Sequence, residues 1–132
     1  MRWKAVVVAS CVLAVGVVIA YAHEFTKKDL EEWKKEYDKV AAQGYVLFHT
    51  PLGTNGVSCD MCHPNAANTH PETYPKFQIQ LGKVVELRDM INWCIENPVK
   101  GEPLAADDPK MIALEAYIKE ERRGVPLAPG KH

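Results

Sequence analysis

The chain has 132 residues, enough for one domain, with 16 Lys plus Arg against 17 Asp plus Glu and a hydrophobic fraction of 47%. That composition excludes an intrinsically disordered chain. The formal net charge of −1 gives no electrostatic basis for binding nucleic acid.

At the N-terminus, basic Arg2 and Lys4 precede an apolar run from Ala5 to Ala20, followed by the small-x-small trio Ala20-Tyr21-Ala22. Residues 1–22 are therefore expected to be a secretory signal peptide cut before His23, with 23–132 as the mature domain. The 16 apolar residues fall short of the ~20 that usually span a bilayer, which argues against an uncleaved anchor. The expected location is the periplasm or another extracytoplasmic compartment, with no membrane association after cleavage. Removing the signal leaves 14 basic and 17 acidic side chains, a balance of −3.

Thr26, with Asp29 three residues later, predicts a helix start of the capping-box kind. Leu30, Trp33, Tyr37, Val40 and Ala41 then recur at helical spacing as one apolar stripe, and Gly44 either ends the helix or permits a close helix crossing. From His49 to Pro75 the chain holds Pro51, Gly53, Asn55, Gly56, Pro64 and Pro71 with no sustained period, a long loop of the kind that carries function in so small a domain. Periodicity returns around Lys83 to Asn97, where Val84, Leu87, Ile91 and Cys94 share a face with Met90 beside them, and Pro98 ends the run. A last helix starts with Asp108 as cap and Pro109 in its first turn, placing Met111, Leu114, Tyr117 and Ile118 inward and Lys119 to Arg123 outward. No strand signal stands out, so the expected class is all-α.

Of the four cysteines, Cys11 leaves with the signal and Cys94 stands alone. The other two form Cys59-Asp60-Met61-Cys62-His63, the attachment pattern of c-type haem. One turn of chain then presents both thiols to the two vinyl groups on one porphyrin edge and brings the imidazole of His63 under the iron. A zinc site would need a second cysteine pair, and a thioredoxin-like dithiol would need a strand before it; neither is present. The expected cofactor is one covalent haem c on Cys59 and Cys62, with His63 as metal ligand. Glu31-Glu32 and Asp107-Asp108 fall on polar faces or at a cap and make no acid/base pair, so an electron-transfer or gas-binding role is favoured over an enzyme.

The order of a helix with Gly44, Leu47 and Phe48, then Cys-x-x-Cys-His, a proline-rich loop and a final helix ending Ala116-Tyr117-Ile118 resembles a class I cytochrome c. The resemblance implies about four helices wrapped around the haem, a crossing of first and last helices at Gly44 and Tyr117, and Pro75 as acceptor for the second nitrogen of His63. It also implies a distal methionine between the later helices, yet Asn97 to Asp107 contains none. Met90, Met111, His49 and His70 remain as candidates from the residues alone, and Cys94 could also be a buried free thiol or half of an intermolecular disulfide.

The stretch from Ile91 to Ile118 further resembles the haem domains of thiosulfate dehydrogenase and its SoxA relatives, and the NaxLS cytochromes of anaerobic ammonium oxidisers. In those proteins a cysteine is the distal ligand, and the resemblance carries this role to Cys94, with Met90 and Met111 as alternatives. It implies a low-potential, His/Cys-ligated haem in electron transfer, with NO or CO as a ligand. The expected partner is a redox protein or a second small cytochrome c subunit, as in a heterodimer. The other readings are a haem subunit of a sulfur-oxidising system and an ordinary Met-ligated carrier. Thiosulfate dehydrogenases carry further haems, whereas this chain has one Cys-x-x-Cys-His.

Overall fold

A computed structural model describes residues 25–127. The expected signal peptide, Cys11 and His23 lie outside the described residues. Helix α1 spans Lys27–Phe48, α2 Leu87–Glu96 and α3 Pro109–Glu121. Three 3-10 turns, at Cys59–Met61, Pro64–Ala66 and Pro71–Thr73, punctuate the loop between α1 and α2. Strands β1 (Lys76–Gln78) and β2 (Lys83–Val85) pair antiparallel, with Phe77 opposite Val84.

The caps behave as the sequence predicts. The Asp29 amide donates to Thr26 Oγ1 (3.2 Å) while the Asp29 carboxylate accepts from the Thr26 amide (2.8 Å). At α3 the Asp108 carboxylate accepts from the Lys110 amide at 2.8 Å, and Pro109 occupies a position whose N–H would have no helical partner.

The described residues differ from the expectation at two points. They contain three α-helices beside the about four expected, and the segment before α2 forms a short hairpin where no strand signal stood out. Gly82 adopts φ 65°, and its amide donates to the Gln78 carbonyl at 2.8 Å, which reverses the chain and draws Val84 out of the expected helix into β2. Three-residue strands are too short to show alternation. The stripe on α1 also divides: Ala41, Gly44 and Phe48 are buried, but Leu30 and Trp33 are half exposed, since a 22-residue helix outreaches the 13-residue α3 beside it.

The core lies where α1 crosses α3. A Cβ on Gly44 would sit 1.9 Å from the Ala113 carbonyl oxygen and 2.7 Å from the Tyr117 Cβ, so only glycine lets the backbones come this close. Tyr117 then packs against Phe48 (centroids 5.1 Å) and edge-on to Tyr45 (5.6 Å), and the Tyr37 hydroxyl donates to the Ala116 carbonyl at 3.0 Å. Met111, Leu114 and Ile118 complete the contact from α3. None of the helices among the described residues is long and apolar enough to cross a membrane.

Gly44→Ala is expected to force α1 and α3 apart and to cost about 3 kcal/mol, read as a lowered melting temperature of the haem-loaded protein.

Candidate haem site

The Cys59–Met61 turn builds the first wall of a cavity. The amides of Cys62 and His63 both donate to the Cys59 carbonyl, at 3.3 and 3.0 Å, which winds the two cysteines and the histidine into one turn. The following residues fold back sharply, with Asn65, Ala66 and Asn68 at positive φ. This brings the Ala67 carbonyl 2.9 Å from His63 Nδ1. A carbonyl only accepts, so Nδ1 carries the proton, and Nε2 is the ring nitrogen left to hold a metal.

The opposite wall is α2, held by contacts distant in sequence. The Asn92 amide donates to the Leu104 carbonyl (2.8 Å) and its oxygen accepts from the Leu104 amide (2.9 Å). Thr54 donates from its amide to the Lys100 carbonyl and Asn55 from its side chain to the Pro98 carbonyl. Gly53 permits this approach, since a Cβ there would lie 2.0 Å from the Val99 oxygen. The loop before Cys59 is thereby tied to the chain just beyond Cys94.

Between these walls lies a cavity of about 390 Å³. Cys59, Cys62, His63, Met90 and Cys94 line it, over a floor that includes Phe48, Leu114 and Ile118. None of the three cysteines in the described residues is in a disulfide. Burial pushes the Cys59 thiol up to about 11, with neighbouring charge on Cys94 and Asp60 adding to it. Cys94 is likewise pushed up to about 11, by burial first and by charge on Cys62 second.

The residues fit a covalent haem. The cavity is within the range of about 300–1,000 Å³ that encloses cofactor-sized ligands. Its donors are two thiols on one turn, an imidazole with the correct tautomer and a third thiol on a different helix. Among the described residues no three His, Cys, Asp or Glu side chains are grouped so as to hold a bare metal ion.

The sequence candidates separate clearly. Cys59, Cys62, His63, Cys94 and Met90 all face the cavity. Met111 does not: it is fully enclosed in the core with Leu114 and Tyr117. His49 Nδ1 meets the Tyr45 carbonyl at 2.8 Å, and His70 is buried against the Glu72 carboxylate at 3.1 Å; neither lines the cavity. Pro75, expected to accept from the second nitrogen of His63, is exposed, and the Ala67 carbonyl takes that role because the left-handed residues after His63 return the chain to the ring. Sequence reasoning missed Ala67, Tyr74 and Gln78. An alanine carbonyl has no signature, and the two polar side chains gain meaning only from the hairpin.

A family model described as the SoxA/TsdA cytochrome c domain matches residues 43–127. Thiosulfate dehydrogenase of Allochromatium vinosum is 31% identical over 85 residues, covering 55% of this chain and 32% of that protein. The L-cysteine S-thiosulfotransferase subunit SoxA of Pseudaminobacter salicylatoxidans is 28% identical over 88 residues, 64% of this chain and 31% of the relative. The chain thus spans about a third of the length of these relatives. The matched segment takes in Gly44, the Cys-x-x-Cys-His turn, α2 and α3, and leaves out residues 27–42 of α1.

Cys59→Ala combined with Cys62→Ala is expected to abolish haem that stays with the polypeptide on a denaturing gel. Met111→Leu, a near-isosteric core change, should cost less than about 1.5 kcal/mol and leave the ferric absorption spectrum unaltered.

Proposed function

The chain belongs to the SoxA/TsdA cytochrome c domain family, and on that premise we propose that it is a periplasmic c-type cytochrome with one haem c. In this reading the haem is attached through Cys59 and Cys62 and held by His63 and Cys94. It passes single electrons at low potential and takes NO or CO when its distal position opens. The observation that supports this best is that Cys94, more than thirty residues from the attachment turn, lines the same cavity as Cys59, Cys62 and His63.

The haem supplies one-electron chemistry at its iron; the protein's residues set the conditions. His63, fixed by the Ala67 carbonyl, is a neutral donor of defined orientation. Cys94 as a thiolate brings negative charge that favours the more positive, oxidised metal, so the potential is low, whereas a neutral thioether would raise it. With haem bound, Cys94 would be the side chain whose protonation frees a place for a small ligand, and Leu87, Met90, Ile91 and Trp93 would line that place. The protein serves as an electron carrier or a subunit, with a redox protein or a second small cytochrome c as partner, rather than as an enzyme.

The names of the relatives raise a second reading, a haem module in the oxidation of sulfur compounds. Cys94 is flanked in the cavity by Leu87, Met90, Ile91 and Trp93, and among the described residues the one Lys or Arg lining the cavity is Lys76. A sulfur oxyanion would have to shed water against that apolar wall, which favours a neutral diatomic. Ligation by Met90, the third reading, would make the protein an ordinary carrier.

Near-infrared magnetic circular dichroism and electron paramagnetic resonance of the ferric protein are expected to show a thiolate signature that Cys94→Ala loses. A methionine signature that survives the substitution would overturn His63/Cys94 ligation. Cys94→Met should raise the midpoint potential by on the order of 100 mV or more. The reduced wild type should change its absorption spectrum under CO, and an unchanged six-coordinate spectrum would count against gas binding.

A further inference from the structure

The cavity wall is sorted by element. Helices α2 and α3 present Leu87, Met90, Ile91, Trp93, Leu114 and Ile118, besides Cys94, and no charged side chain. Residues 68–80 present Asn68, Thr69, Tyr74, Lys76, Gln78 and Gln80, with Ile79 as the apolar exception. Strand β1 produces this by alternation: Lys76 and Gln78 share a face, while Phe77 between them is 51% exposed.

These polar groups are organised before any ligand is considered. Gln78 is buried and its amide donates to the Tyr74 hydroxyl at 2.6 Å, which leaves the phenol's own proton to be donated elsewhere. The Lys76 ammonium lies 4.7 Å from the centre of the Tyr74 ring. Burial lowers its pKa, and charge on Glu72 acts in the opposite direction. Lys76 stands on β1, a different element from the Cys59–Met61 turn, and among the described residues it is the one Lys or Arg that lines the cavity.

A haem joined to two cysteines through its vinyl groups directs its two propionates to the opposite edge. Carboxylates beside an apolar wall require a cation and hydrogen-bond donors. We infer that Lys76, Gln78 and the Tyr74 hydroxyl form the carboxylate-binding edge of the cavity, with Lys76 paired to a haem propionate. This rests on the covalent attachment at Cys59 and Cys62 in the proposed function, and is independent of which side chain is the distal ligand. The charge of Lys76 partly cancels that of the propionate, so the hairpin tunes the potential from the side while His63 and the distal ligand tune it along the axis.

Among the described residues, the titratable groups facing this edge are Tyr74 and Lys76 from its own segment, with Glu72 beside Lys76. Lys83, across the hairpin from Gln78, is exposed. The other titratable groups lining the cavity among the described residues are Cys59, Cys62, His63 and Cys94.

The test compares haem-loaded wild type with Lys76→Gln, Lys76→Arg and Gln78→Ala by potentiometric titration across pH and by resonance Raman spectroscopy. Lys76→Gln should shift the potential negative and move upward the pH below which it climbs, because an uncompensated propionate protonates more readily. It should also displace the propionate bending band. Lys76→Arg should restore all three readouts, and Gln78→Ala should shift the potential in the same direction by less than Lys76→Gln. Suppose Lys76→Gln keeps its covalent haem and ferric ligand signature, yet matches wild type in potential, pH profile and Raman band. That result overturns the propionate edge and leaves the proposed function standing. Loss of covalent haem from the wild type itself would instead overturn the proposed function, and the edge with it.

Discussion

Everything in this domain hangs on the contact between Gly44 and the backbone of α3. The Ala113 carbonyl oxygen sits where any other residue at position 44 would place its Cβ. Because the helices approach this closely, Phe48 and Tyr117 meet ring against ring. Leu114 and Ile118 of α3 then join Phe48 as the floor of the cavity. The contact is therefore more than a stabilising one: it aligns the surface on which a flat, apolar macrocycle would rest.

Against that floor, two segments distant in sequence are brought face to face. The attachment turn follows α1 through a loop, and α2 is anchored to the other side by the two-way bond of Asn92 with Leu104 and by the bond from the Thr54 amide to the Lys100 carbonyl, which the glycine at position 53 makes room for. These polar contacts are few, but each satisfies backbone groups that would otherwise be stranded in a half-buried loop. Their common result is that Met90 and Cys94, one turn apart on α2, point into the same space as His63. Three thiols collect in a largely apolar cavity, where burial favours the neutral form of Cys59 and Cys94.

Much of this was legible in advance, for reasons that can be named. Cap residues act over three or four positions, so Thr26 with Asp29 and Asp108 with Pro109 reported the starts of α1 and α3 correctly. The inward face of α3 followed from the spacing of Met111, Leu114, Tyr117 and Ile118. Three-residue strands carry too little pattern to be seen, so the hairpin was read as the front of α2. The exposed first turns of α1 were also misjudged: periodicity shows that Leu30 and Trp33 share a face with Tyr37, but not that α3 stops short of them.

The sequence by itself pointed to the attachment chemistry, because two thiols and an imidazole within five consecutive residues form the c-type haem pattern without a distant partner. It also singled out Cys94, by leaving one thiol without a role. Which of the remaining sulfur and imidazole side chains share the cavity was decided only by tertiary structure, since helical spacing cannot tell a side chain that fills the core, as Met111 does, from one that faces a cavity, as Met90 does. The same holds for the hydrogen bond on His63: its acceptor is a backbone carbonyl, a group every residue possesses, and the left-handed turn after the histidine is what selects Ala67 over Pro75.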